Sequence, residues 1–245
     1  MRALEKTRWG ILGTGTIASK FALGLRAADN GELHAVGSRS SQTADAFARE
    51  HGAARAHATY DELVGDPDVD AIYVATPHVL HRENTLSCIA GGKAVLCEKP
   101  FAMNAREGEE MVAAARGAGT FLCEAMLTRF LPATRRVREL IASGAIGEPR
   151  QLDGDFGFRT ELDPKGRLFD PALGGGALLD VGIYCVAYAR MVFGGPPAQV
   201  QSHQTQAGAH QVGPARHGPT LSRRRNEGHT TLDSRVSMGT SKLKP

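Results

Sequence analysis

The run Trp9-Gly-Ile-Leu-Gly13-Thr-Gly15-Thr-Ile-Ala18 constrains this chain more than any other. A short apolar strand ends in Gly13-x-Gly15-x-x-Ala18. A helix pattern opens at once, with Ile17, Phe21 and Leu25 at i, i+4 and i+8. Each small residue has a physical role there. Gly13 permits a tight turn, Gly15 lets the backbone approach a pyrophosphate, and Ala18 allows a helix to pack closely on a strand. The backbone N–H groups at the helix start, around Thr16 and Ile17, and the positive end of the helix dipole suit phosphate oxygens. A Gly-rich turn without a ligand is the alternative. The strand–helix context weighs against it.

That context continues. Strand patterns fall at 33–38, 71–75, 93–97 and 120–124, and helix patterns at 44–50, 60–64, 79–90 and 105–118, the last with Asn104 as a cap. Residues 71–75 are almost wholly apolar, as in a strand covered on both faces. This alternation predicts a doubly wound parallel sheet over residues 1–124. From 125 the rhythm changes. A helix is expected at 132–143 with Val137, Leu140 and Ile141 on one face, and a strand at 151–158. A Gly- and Pro-rich loop covers 163–176. A helix follows at 177–192 with Leu178, Val181, Cys185, Tyr188 and Val192 on one face, then a strand at 198–205. Residues 125–245 therefore read as a second, α+β domain. Between 206 and 230 only Val212 and Leu221 are large aliphatics, a composition expected to be poorly ordered. Residues 232–238 again look like a strand. A sheet in this second domain is expected to be short of strands.

Other properties narrow the function classes. The net charge of +3 is too small to imply nucleic acid, and Arg223-Arg-Arg225 has no interleaved aromatics. The start reads into the first strand with no apolar leader, and no apolar run is expected to reach the length of a membrane span, so a cytoplasmic protein is expected. Cys88, Cys97, Cys123 and Cys185 form no C-x-x-C pair, which points to buried thiols and to no metal site.

Ligands of open α/β sheets bind beyond the carboxyl ends of the strands. After the second strand stands Gly37-Ser38-Arg39-Ser40, where an NAD site usually has an acid. A serine hydroxyl at Ser38 and the Arg39 guanidinium suit a 2′-phosphate, favouring NADP over NAD, with a solvated surface Arg as the alternative. Two further strand ends carry Thr76-Pro77-His78-Val-Leu-His81 and Glu98-Lys99-Pro100. Lys99 reads equally as solvated or as a cation facing the crevice, and His81 reads first as a cap or packed residue. Asp180 and Tyr184, four apart on a helix, share one side of it, suited to a cleft. A half-buried Tyr with any partner is the alternative.

Taken together, Gly13-x-Gly15-x-x-Ala18, Thr76-Pro77, Glu98-Lys99-Pro100 and Asp180-x-Gly182-x-Tyr184 resemble the glucose–fructose oxidoreductase / inositol dehydrogenase (Gfo/Idh/MocA) family in order and spacing. The run Gly174-Gly-Gly-Ala-Leu-Leu-Asp-Val-Gly-Ile-Tyr184 resembles most its dimeric dihydrodiol dehydrogenases and NADP-dependent D-xylose dehydrogenases. The resemblance spans residues 8 to about 205. It implies a Rossmann domain and an α/β domain with a large open, mostly antiparallel sheet often used for dimerisation; with that sheet incomplete, pairing of two copies through it is expected to be impaired. It implies Lys99 and Tyr184 as the catalytic pair, and Asp180 with His81 on the substrate side. It places Gly13, Gly15, Thr16, Ile17, Ala18, Ser38, Arg39, Thr76, Pro77, Glu98 and Lys99 about the cofactor. The expected substrate is a small sugar, such as an aldose, or a cyclic trans-dihydrodiol. The rival expectation is an impaired cofactor-binding relative acting as a sensor or protein partner. Family members are longer, and a local frame change followed by early termination would account for residues 206–230.

Overall fold

The computed structural model describes residues 6–197 and 200, and the backbone of 229–239. The chain divides into two compact units, Met1–Ala125 and Met126–Pro245.

The first unit alternates strand and helix. Its elements are β1 (Thr7–Leu12), α1 (Thr16–Arg26), β2 (Gly31–Gly37), α2 (Ser41–His51), β3 (Arg55–His57), α3 (Tyr60–Val64), β4 (Ala71–Val74), α4 (His81–Ala90), β5 (Ala94–Cys97), α5 (Ala105–Ala118) and β6 (Leu122–Glu124). The strands pair in parallel in the order β3-β2-β1-β4-β5-β6, so the chain reverses direction across the sheet between β1 and β4. Alternate side chains enter two cores. Leu12, Ile72, Val74, Val95 and Cys97 join one, while Ile11, Val36, Tyr73 and Ala75 join the other. Both faces are covered, which is why β4 carries no polar alternation. Local signals set the helix ends. Thr59 and Glu62 form a reciprocal cap on α3, the Asn104 side chain accepts from the Glu107 N–H at 3.0 Å, and Gly52 and Gly119 close α2 and α5 in the left-handed conformation.

Two details depart from the sequence pattern. The buried face of α1 is Ala18, Ala22 and Leu25, while Ile17 is 41% exposed. Small residues let α1 lie close to the sheet, so the larger neighbour is displaced to the rim. Strand β3 gives no periodic signal because it has only three residues, Arg-Ala-His, held by pairing with Ala35–Gly37.

The second unit holds α6 (Pro132–Ala142), β7 (Gln151–Glu161), a 3₁₀ turn (Pro171–Leu173), a π turn (Leu178–Gly182), α7 (Ile183–Phe193) and β8 (His229–Gly239). Strands β7 and β8 are antiparallel, from Gln151↔Gly239 to Glu161↔His229. The expected helix over 177–192 thus begins with a π turn, and this changes which residues face inward. Val181, Cys185 and Ala189 are buried, whereas Leu178, expected on the same face, is 46% exposed. The apolar face of α6 is largely open, with Thr134 its buried residue and Leu140 exposed.

Apart from Val200, the expected strand at 198–205 lies outside the described residues, as does most of the expected disordered segment. The last two residues of that segment, His229 and Thr230, are the first two of β8. One further correction concerns apolar length: Pro171–Phe193 is long and apolar enough to cross a bilayer by length and composition. In the structure it includes the buried Asp180, and α7 lies against β7. No disulfide joins the four cysteines. Burial pushes the Cys88 and Cys97 thiols up to about 12.

Candidate functional site

Strand register brings the predicted cofactor residues of the first unit to one edge. Leu12 pairs with Gly37 and with Val74, and Val74 pairs with Cys97. Gly13, Ser38, Ala75 and Glu98 therefore follow at the same level, at the carboxyl ends of β1, β2, β4 and β5. Gly13 has φ +106°, and a Cβ there would stand 2.9 Å from the Ala75 carbonyl oxygen, so only glycine fits without strain. Gly15 precedes α1, and a Cβ there would meet nothing within 4 Å. That open space above a helix N-terminus fits the pyrophosphate of a dinucleotide, with the N–H groups of Thr16 and Ile17 at hand. Ala18 is fully buried beneath.

The end of β2 corrects one assignment. Ser38 is 7% exposed and its hydroxyl pairs with Thr43 Oγ1 at 2.6 Å, while Thr43 Oγ1 donates to the Ser40 carbonyl at 3.0 Å. Thr43 spends its proton on that carbonyl, so Ser38 is the donor to Thr43 and shapes the turn instead of facing a phosphate. Arg39 and Ser40 are exposed beside the start of α2. Burial raises the Tyr60 phenol, and the Arg39 guanidinium partly opposes this. A cavity of about 260 Å³ opens beside Tyr60, bounded by Leu12, Asp61, Glu83, Asn84 and Ser87.

The end of β4 corrects a second assignment. His81 is fully buried, with Nε2 2.9 Å from the Thr76 carbonyl oxygen and Nδ1 2.8 Å from that of Pro100. It ties two strand ends together and is not open to a substrate. Burial lowers its pKa, and the two carbonyls oppose that shift. The Thr76 hydroxyl accepts from Asn84 Nδ2 at 2.8 Å, and Pro77 is exposed. Glu98 is buried. Its Oε2 accepts from the Lys99 N–H at 3.0 Å and its Oε1 from the Tyr73 hydroxyl. Tyr73 stacks on Phe21 with ring centroids 3.9 Å apart. Lys99 follows, half-buried.

In the second unit, Asp180 lies in the π turn and is 5% exposed. Arg167 Nη1 donates to its Oδ1 at 3.1 Å. Tyr184, one turn on, is half-buried with its ring edge-on to Phe156 at 5.3 Å. π turns recur at functional sites, where the extra residue re-aims side chains.

Sequence reasoning missed Tyr73 and Arg167. A signal existed for Tyr73, since a phenol in a strand buried on both faces needs a partner for its hydroxyl. Arg167 stood in a loop with no periodicity to single it out.

Comparison with known proteins identifies the family. A family model described as "Oxidoreductase family, NAD-binding Rossmann fold" matches residues 7–125, and one described as "GFO/IDH/MocA C-terminal domain" matches residues 134–238. Trans-1,2-dihydrobenzene-1,2-diol dehydrogenase from Macaca fascicularis is 45% identical over 190 residues, 77% of this chain and 56% of the relative. The Homo sapiens protein of the same name is 44% identical over the same shares. The chain thus spans about half the length of the curated relatives it matches. Among solved structures, KijD10, a 3-ketoreductase from Actinomadura kijaniata in complex with NADP and TDP-benzene, superposes with a TM-score of 0.69 at 31% identity, over 77% of this chain and 58% of that one. An aldose-aldose oxidoreductase from Caulobacter crescentus does so with a TM-score of 0.70 at 32% identity, over 79% and 59%. With an NAD(P)-binding Rossmann unit followed by the matching C-terminal domain, the chain belongs to the Gfo/Idh/MocA oxidoreductase family.

Proposed function

We propose that this chain is an NADP-dependent oxidoreductase acting on a carbinol carbon of a cyclic trans-diol or an aldose. The observation that carries the reading is the end of β5. Glu98, fixed by Tyr73 and by the Lys99 N–H, sets the Lys99 backbone at the edge where Gly13 and Gly15 leave room for a dinucleotide. Arg39 at the end of β2 would hold a 2′-phosphate through its planar fork. When bound, the nicotinamide supplies the hydride acceptor or donor.

The chain's own residues manage the proton. Tyr184 takes the hydroxyl proton of the substrate or returns it. A free tyrosine has a pKa near ~10, too high for a base at neutral pH. A neighbouring cation favours the phenolate, and Lys99 is the residue proposed to supply it. Asp180 accepts from a substrate hydroxyl and orients it. The likeness to trans-1,2-dihydrobenzene-1,2-diol dehydrogenase and to the aldose-aldose oxidoreductase supports both substrate classes. A panel of trans-dihydrodiols and aldoses, read by NADPH absorbance, tests the proposal. Turnover with at least one class, faster with NADP than with NAD, is expected; no turnover with any member overturns it.

A further inference from the structure

Asp180 is a carboxylate with 7% of its side chain exposed, and a buried charge needs a partner. Arg167 is one, at 3.1 Å, yet 57% of the Arg167 side chain is exposed. The pair therefore has one sheltered end and one open end. A guanidinium carries five donors in a planar fork, and the contact to Oδ1 engages one nitrogen. The loop bearing Arg167 is also tied to its surroundings. Gly176 N–H donates to the Leu168 carbonyl at 2.9 Å, Gly175 N–H to that of Asp170 at 2.9 Å, and Asp180 N–H to that of Gly176 at 3.3 Å. A Cβ on Gly175 would stand 2.7 Å from Asp170 N, so the close approach of the loop to itself requires glycine. Arg167 is thus held at a defined place beside the π turn.

We propose that Arg167 determines substrate class, reading a vicinal diol together with Asp180; the proposal rests on the functional reading above and deepens it. A carboxylate only accepts and a guanidinium only donates. A vicinal diol offers a neighbouring donor and acceptor, one hydroxyl giving its proton to Asp180 while the next oxygen receives from Arg167. The pair is neutral in sum. A substrate phosphate or carboxylate gains from Arg167 but opposes Asp180, and a lone hydroxyl must serve both partners through one oxygen where a diol gives each its own. A site built to bond a hydroxyl discriminates strongly against the analogue that lacks it.

The test uses the full chain saturated with NADP⁺ and two probes, trans-1,2-cyclohexanediol and cyclohexanol, with binding followed by ligand-observed NMR titration and turnover followed separately. The unaltered protein should bind the diol about tenfold or more tightly than the alcohol, the scale of one charge-assisted hydrogen bond. Arg167→Met should bring the two within about twofold, and Arg167→Lys, which keeps the charge but loses the fork, should fall between them. Absence of a diol preference in the unaltered protein overturns the proposal, as does a preference retained in a well-folded Arg167→Met. If that variant does not fold, an Arg167→Lys protein with the full preference overturns it. Arg167-dependent diol binding without turnover would sink the functional reading and leave this inference standing. Turnover of diols with a preference indifferent to Arg167 would do the reverse.

Discussion

The Nδ1 of His81 lies 2.8 Å from the carbonyl oxygen of Pro100, the residue after Lys99. The other ring nitrogen meets Thr76, so one imidazole bridges the ends of β4 and β5. Removing it takes the ring N–H from a buried carbonyl, empties the space between the two strand ends and opens a cavity. His81→Ala should cost about 2–4 kcal/mol of stability. Urea denaturation measures this, and a loss below ~0.5 kcal/mol, the range of surface changes, would refute the bridge.

Lys99→Met and Tyr184→Phe should each reduce turnover roughly 10²–10⁴-fold, the usual weight of positioned proton transfer. NADP affinity should change far less, since neither substitution touches the glycine cradle. Steady-state rates beside fluorescence titration separate the two. Near-normal turnover in either variant removes that residue from the chemistry.

Arg39→Asp and Ser38→Ala should behave oppositely. Arg39→Asp replaces a charge-assisted partner of the 2′-phosphate by a like charge and should weaken NADP by about tenfold or more while leaving NAD little changed. Ser38→Ala removes a hydroxyl turned towards Thr43 and should leave NADP affinity within about twofold, at a small cost in stability near 1 kcal/mol. Tighter NAD than NADP binding by the unaltered protein would count against the cofactor assignment.

The two glycines separate fold from ligand. Gly13→Ala forces a side chain into φ +106° and against Ala75, and should destabilise by about 1–3 kcal/mol. Gly15 has φ −81° and open space about it. Gly15→Ala should therefore melt normally, yet hold NADP more weakly because its methyl group stands where the pyrophosphate must come close. Thermal unfolding and cofactor titration on both variants check the contrast; unchanged affinity in Gly15→Ala would move the cofactor elsewhere.

Acid stability should depend on Asp66. Burial would raise its carboxyl, but the Asp68 N–H at 2.9 Å, the His57 ring at 2.9 Å and the Arg55 guanidinium at 2.7 Å outweigh it and hold it down at about 2. A depressed carboxyl stabilises the fold above its unfolded value of 3.8, and that contribution fades as pH falls towards about 2. Asp66→Asn should lose ~2 kcal/mol near neutral pH and little near pH ~2. Urea midpoints across that range decide it, an equal loss at both ends being the contrary result.

The sheet was legible because each strand of the first unit but β3 carries its own signal. Residues 71–75 are apolar without alternation, and Asn104 announces a helix. Arg55–His57 has no such signal and is a strand only through its neighbour. The glycine cradle and the strand-end residues were legible because topology fixes where strand ends go. The directions of side chains were not. Ser38 and His81 stand at strand ends as expected, but each turns inward to satisfy nearby polar groups. The partner of Asp180 was illegible because Arg167 reaches it from a loop thirteen residues away.

The π turn at Leu178–Gly182 amounts to one surplus residue accommodated without breaking the helix. Each residue of an α-helix advances the chain by about 100°. Deleting one residue there would let the turn relax to ordinary α geometry and swing everything before it by that angle relative to Tyr184. Such a protein could keep its melting temperature while Asp180 and Tyr184 no longer addressed the same molecule. The length of this segment, as much as the identity of its side chains, is therefore part of the site.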